Sequence, residues 1–133
     1  MIYNNLILNK EIFDNLRRFY NNNRIPSAFI FHGNEGIGKE AHAIEFFGLI
    51  NCKSPIDNFA CGYCNSCKKT KKLQHENLQI ILPMPRTKSL SKNDNPLKLL
   101  SEKQLNKLTQ MLSNKGTNPY FDLKFQSANT ILI

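Results

Sequence analysis

Several features that are absent from this sequence of 133 residues limit the classes of protein to which it can belong. It contains no tryptophan, and its longest apolar runs fall far short of the ~18 residues that a membrane helix needs. Its first residues include neither the basic region nor the cleavage site of a secretory signal. No internal repeat is present. A length of this order allows one domain at most, and these features together predict a cytoplasmic protein with no membrane partner.

Acidic residues are scarce: 10 Asp and Glu stand against 18 Lys and Arg, which gives a formal net charge of +8. This excess suggests an acidic partner such as nucleic acid, although four thiolates around one zinc ion would lower the charge by about 2. Much of the surplus lies in the lysine-rich run at 68–72. A solvated basic surface and a DNA-facing patch both fit that run.

Cysteine is confined to one segment, where the spacing is C-x8-C-x2-C-x2-C and the residues are Cys52, Cys61, Cys64 and Cys67. Two cysteines spaced C-x2-C can hold one metal ion from a tight turn, which Gly62 permits. Four thiolates close a tetrahedral shell, so the pattern predicts structural zinc. Two disulfides in a secreted protein, an iron–sulfur cluster, and His75 as a substitute ligand are the alternatives.

A glycine-rich loop with the pattern G-x4-G-K precedes the cysteines; its residues are Gly33, Asn34, Glu35, Gly36, Ile37, Gly38 and Lys39. Such a loop binds phosphate because its backbone N–H groups line a concave nest at a helix N-terminus. The next position should be Ser or Thr, which ligates Mg²⁺, but here it is Glu40.

The carboxylate of Glu40 is expected to oppose phosphate binding. At ~5 Å and an effective dielectric of about 20, it would repel each phosphate charge by about 3 kcal/mol. The same carboxylate gains only about 0.3–1 kcal/mol from the helix dipole. We therefore predict a loop that keeps its shape but binds ATP weakly or not at all.

Apolar periodicity predicts helices at 10–20, with Asn9 as N-cap, at 39–51, and after a capping box of Ser101 and Gln104. Short apolar runs predict strands at 28–32, 78–82 and 129–133. A strand, a glycine loop and a helix in this order predict an α/β P-loop fold with a parallel sheet. Residues 86–98 are expected to form a mobile insertion loop, and the apolar end at 133 suggests a truncated chain. No hydroxyl has His and Asp partners at catalytic spacing, so no catalytic residue is predicted.

The segment from Pro26 to Lys39, the cysteines, and the run from His75 to Leu78 resemble the N-terminal AAA+ module of bacterial DNA polymerase III clamp-loader subunits. The resemblance covers roughly 9–83, with a looser match at 118–133. It implies that residues 1–133 are the N-terminal part of a RecA-like AAA+ domain. It also implies a zinc knuckle at 52–67, with the four cysteines as ligands, and a Walker A loop from Gly33 to Lys39.

Within that family, Glu40 favours the delta-prime subunit over gamma/tau, because gamma/tau keeps Thr or Ser there and hydrolyses ATP. The resemblance then implies a stator with no enzymatic activity of its own. Its partners would be the gamma/tau and delta subunits and, through the complex, the sliding clamp and primed DNA. Two alternatives are an ATP-hydrolysing gamma/tau-type subunit and a stand-alone zinc-ribbon module that binds nucleic acid.

Overall fold

A computed structural model describes residues 1–83, 97 and 100–125. It contains four helices: α1 (Lys10–Asn21), α2 (Lys39–Asn51), α3 (Asn65–Lys71) and α4 (Glu102–Thr117). The three predicted helices are confirmed, including the Asn9 cap and the capping box of Ser101 and Gln104. Helix α3 was not predicted. Among the described residues, no helix has both the length and the apolarity to cross a membrane.

The predicted parallel sheet, and with it the α/β fold class, is wrong for the described part of the chain. The β pairing found there is one isolated antiparallel bridge between Ile56 and Phe59. The predicted strands at 28–32 and 78–82 form no ladder. Ile30 is 90% exposed, whereas a parallel strand is buried on both faces. An apolar run predicts burial, but a strand also requires a neighbouring strand, which no local pattern supplies.

Two further predictions concern residues that the structure mostly does not describe. The strand at 129–133 lies outside the described residues. The insertion loop at 86–98 lies outside them as well, except for Leu97.

Three apolar clusters form the core. The first joins the N-terminal segment to α2 and α3, and its buried residues are Ile2, Tyr3, Leu6, Ala41, Ile44, Ala60, Cys67 and Leu73. The second joins α1 to α2 through Phe13, Leu16, Phe46 and Leu49, with Phe29 and Phe31 packed against it. The third lies between α4 and the segment at 121–125. Helix α2 contributes to two of these clusters, so it fixes both the loop before it and the cysteine after it.

The N-terminal segment is held against α2 by Glu45, whose side chain is fully buried. Its two carboxylate oxygens accept the backbone N–H groups of Ile2 at 3.1 Å and Tyr3 at 2.5 Å. Burial raises the pKa of Glu45, although these two hydrogen bonds oppose the rise. The amino group of Met1 donates to the Ala60 carbonyl at 2.6 Å. The segment therefore bridges α2 and the cysteine-rich region.

Candidate metal centre and phosphate loop

The four cysteine sulfurs converge at the C-terminal end of α2, within 4.8 Å of one another. The Sγ atoms of Cys52 and Cys67 lie 3.6 Å apart, those of Cys61 and Cys67 3.8 Å, and those of Cys52 and Cys64 4.0 Å. Four sulfurs at ~2.3 Å from a tetrahedral centre are about 3.8 Å from each other. The cysteines can therefore hold a metal ion, and their geometry is compatible with zinc.

The same separations favour a single metal ion over the two alternatives of disulfides and an iron–sulfur cluster. A disulfide requires a bond of ~2.05 Å, and all four cysteines are free. The space between sulfurs 3.6–4.0 Å apart accommodates one ion, not several iron atoms. Within the described part of the chain, no other group of His, Cys, Asp or Glu was found that could hold a metal.

Local structure brings these sulfurs together. Gly62 has a φ of 80°, and a Cβ there would lie 2.6 Å from the Met1 carbonyl oxygen, so glycine is required at the turn. The sulfur of Cys61 accepts the Cys64 N–H at 3.3 Å. Cys64 then caps α3, where its sulfur accepts the Cys67 N–H at 3.5 Å. These N–H groups favour the thiolate form that a metal requires.

The thiols differ in how easily they lose a proton. Burial raises the pKa of Cys61, but hydrogen bonds from the backbone N–H groups of Tyr63 and Cys64 and from the Ser54 hydroxyl outweigh it and bring the pKa to about 5. Burial raises the pKa of Cys67 well above its ordinary value. The thiolate form is therefore favoured more at Cys61 than at the buried Cys67.

His75 is held away from the metal centre. Its Nδ1 accepts the Asn77 N–H at 3.1 Å, so its Nε2 carries the proton and donates to the Ser66 hydroxyl at 2.9 Å. The hydroxyl in turn donates to the Asn51 carbonyl at 2.7 Å. His75 thus connects α3 to the end of α2, and it is not one of the clustered ligands.

The phosphate loop, residues 33–40, leads directly into α2. Three of its glycines have positive φ: 146° at Gly33, 76° at Gly36 and 77° at Gly38, which is the N-cap of α2. Asn34, Glu35 and Ile37 are exposed. The backbone therefore has the glycine conformations and the helix N-terminus that the sequence predicts for an anion-binding loop.

The lysine of the loop is bound to the loop itself. The Nζ of Lys39 donates to the Gly33 carbonyl at 2.9 Å and to the Asn34 carbonyl at 2.6 Å. A phosphate ligand would have to compete with these two hydrogen bonds.

Glu40 has a partner from α4. Its Oε2 lies 2.6 Å from the Nζ of Lys115, whose side chain is 2% exposed. The same ammonium donates to the carbonyls of Pro119 at 3.0 Å and Phe121 at 2.7 Å. The charge of the half-exposed Glu40 is therefore balanced by a lysine of the protein itself, a partner that the expectation of simple phosphate repulsion did not include.

His42 fixes the start of α2 against α1. Its Nδ1 donates to the Gly38 carbonyl at 2.8 Å, and its Nε2 accepts the Asn9 N–H at 2.9 Å. The ring is buried and neutral in this arrangement, because one nitrogen donates while the other accepts.

The roles of Lys115 and Glu45 were not predicted, although the sequence contains a signal for both. Lys115 lies on the same helical stripe as Leu108, Met111 and Leu112, where an apolar residue is expected. Glu45 similarly falls four residues after the buried Ala41. A charged residue on an apolar stripe indicates a buried partner, but the identity of that partner requires the tertiary structure.

Comparison with known proteins gives the family. A family model described as DNA polymerase III, delta subunit, matches residues 8–121. The chain belongs to this family. No curated protein and no solved structure matches it. The resemblance to DNA polymerase III clamp-loader subunits is thus confirmed at the level of the family, while the delta-prime type and the AAA+ domain stay predictions.

Proposed function

We propose that this chain is a clamp-loader subunit of the delta-prime type, a stator that binds no nucleotide. In this role it contacts the gamma/tau and delta subunits in the cytoplasm. It helps them to load the sliding clamp on primed DNA and contributes no hydrolysis of its own. Membership of the DNA polymerase III delta subunit family supports the replication context.

The pairing of Glu40 with Lys115 is the observation that carries the nucleotide-free part of the proposal. The residue after the loop lysine is engaged by a buried ammonium, and Lys39 is engaged by the carbonyls of Gly33 and Asn34. Both side chains that would contact a magnesium nucleotide therefore already have protein partners. This arrangement favours the delta-prime type over an ATP-hydrolysing gamma/tau type.

We assign structural zinc to the four cysteines. Zinc bound by four thiolates leaves no open position for water or substrate, so its contribution is structural. Cys52 follows α2 directly and Cys67 lies within α3, so the ion would join these two helices. The proposed function needs this rigidity, because a stator must present a fixed surface to its neighbours.

Titration with a fluorescent ATP analogue in the presence and absence of Mg²⁺ tests the proposal. We expect no Mg²⁺-dependent binding at micromolar concentrations of the analogue. Sub-micromolar, Mg²⁺-dependent binding would instead support the gamma/tau type. Co-purification of the tagged chain with gamma/tau and delta subunits tests the assembly role, and failure to retain either subunit would contradict it.

The stand-alone nucleic-acid binder has weaker support, because part of the lysine-rich run is engaged within the protein. Lys69 forms an ion pair with Glu76. The Nζ of Lys71 lies beside Gly62 and contributes to the electrostatic environment of Glu45. Lys68 and Lys72 remain exposed. Two exposed lysines supply much less charge than the run of four suggests.

A further inference from the structure

The charges around the phosphate loop balance one another. A cavity of about 370 Å³ lies between the loop and the segment at 115–124. It is lined by three acidic residues and three lysines, namely Glu35, Glu40, Asp122, Lys39, Lys115 and Lys124. Their formal sum is zero, whereas a site for a polyphosphate needs an excess of positive charge.

Each of the three lysines already has an acceptor. Lys115 pairs with Glu40 and with two backbone carbonyls. Lys124 lies 3.2 Å from Glu35 and 3.0 Å from Asp122. Lys39 is bound to the loop carbonyls. No lysine of this cavity therefore offers a free ammonium to an anion.

The ion pairs of the cavity differ in how strongly solvent screens their attraction. The side chains of Lys124 and Glu35 are 59% and 91% exposed, so water and salt screen their attraction. Lys115 is 2% exposed and its partner Glu40 is 49% exposed, so their attraction is less screened than that of Lys124 and Glu35. The pair formed by Glu40 and Lys115 therefore dominates the electrostatic state of the cavity.

We propose that the cavity is an anion site neutralised from within, in which Glu40 masks the buried ammonium of Lys115. Glu40 is then more than a missing metal ligand. It serves as the internal anion for a lysine from α4, and a polyphosphate would bind more tightly if that carboxylate were removed. The proposal rests on the nucleotide-free loop proposed above and names the contact that maintains it.

The geometry also predicts which substitution would make the cavity favourable for an anion. Glu40→Gln keeps the shape of the side chain and an oxygen for Lys115, but it removes one negative charge. The cavity then has a formal charge of +1 next to a helix N-terminus and three positive-φ glycines. Glu35→Gln removes the same charge at a screened position, so its effect should be smaller.

The test is calorimetric titration of the zinc-loaded chain with pyrophosphate and inorganic triphosphate, without Mg²⁺, at low salt. Glu40→Gln should bind triphosphate at least tenfold more tightly than the natural chain, and 200 mM salt should reduce the gain. Glu76→Gln is the matched control, since it also removes the carboxylate partner of a lysine but lies outside this cavity. It should bind no better than the natural chain.

The double variant Glu40→Gln, Lys115→Met identifies the source of the gain. Loss of the gain in this variant assigns it to Lys115, and a retained gain overturns the masking of Lys115. If the double variant fails to fold, the triphosphate affinity of Glu40→Gln alone tests the proposal. If Glu40→Gln keeps its zinc content and melting temperature but binds triphosphate no more tightly than the natural chain, the proposal is overturned. Tight Mg²⁺-ATP binding by the natural chain would contradict the proposed function instead, so the two failures are distinguishable.

Discussion

The metal centre and the phosphate loop lie at opposite ends of α2, and they differ in where their partners come from. The loop enters the helix at Lys39, and Cys52 follows its last residue, Asn51. The sulfurs of the metal centre come from one segment, 52–67, and are positioned by turns within it. The loop instead receives Lys115 from the far end of α4.

The two motifs therefore differ in how completely their sequence predicts the structure of the site. A metal motif contains all of its ligands, so its spacing nearly determines its geometry. A phosphate-loop motif contains the backbone of an anion site but not the charges that surround it. The same glycines can therefore line a binding site or a neutralised cavity, depending on residues distant in the sequence.

Removal of one sulfur from the metal centre should have the largest effect. We expect Cys67→Ser to reduce zinc from about one per chain to nearly none. Much of the ~10–16 kcal/mol that a structural zinc can contribute would then be lost. Metal analysis and thermal unfolding measure this. Asn65→Ser, also on α3 but exposed, is the matched control and should keep its zinc; full zinc content in Cys67→Ser would contradict the ligand assignment.

Loss of the buried lysine should have the next largest effect. Lys115→Met leaves Glu40 and the carbonyls of Pro119 and Phe121 without their donor, so we expect a loss of about 2 kcal/mol in the free energy of unfolding. Denaturant unfolding gives the value. Lys124→Met removes the exposed counterpart and should change stability very little. Equal effects of the two replacements would contradict a special role for Lys115.

Helix α3 contains Cys67 and helix α4 contains Lys115, so the contact between these helices links the metal centre to the phosphate loop. A substitution at Gly116 tests this contact. A Cβ at this position would overlap the carbonyl oxygen of Lys71, a backbone atom of α3. Gly116→Ala should destabilise the protein by about 1 kcal/mol, because overpacking costs about 1–3 kcal/mol and the gain in helix propensity returns about 1 kcal/mol.

Gly48→Ala is the matched control for Gly116→Ala. A Cβ at Gly48, in α2, would lie close to side-chain atoms of Ile2 and Ala60 and would meet no backbone atom. Its melting temperature should fall less than that of Gly116→Ala. The reverse order would show that the approach of α3 to α4 is not tight.

The smallest expected effect is the pH dependence of the free energy of unfolding that Glu45 causes. Burial raises the pKa of Glu45 above the value in the unfolded chain. The folded state therefore binds the proton more tightly, and Glu45 contributes stability below the unfolded pKa that is lost as pH rises through the folded pKa. Relative to Glu45→Gln, the natural chain should gain stability as pH falls from 7 through the folded pKa toward the unfolded value of about 4.3. A pH-independent difference would contradict this.

Prediction from sequence succeeded where the interactions are local. Caps and helices depend on residues a few positions apart, as Ser101 and Gln104 show, and the four cysteines all lie within the short segment 52–67. The strands failed because the run at 28–32 packs only Phe29 and Phe31 against the helices and leaves Ile30 exposed. Helix α3 was missed because its seven residues, rich in lysine, have no apolar periodicity.

The spacing of the residues along the chain was enough to predict the cluster of four cysteines, the glycine backbone of the phosphate loop and the place of Glu40 after Lys39. The pairing of Glu40 with a buried ammonium and the contact of Glu45 with the N-terminal segment became visible in the folded chain alone. The physical reason is that turns and caps are fixed by neighbouring residues. The charge state of a cavity, in contrast, depends on every element packed around it.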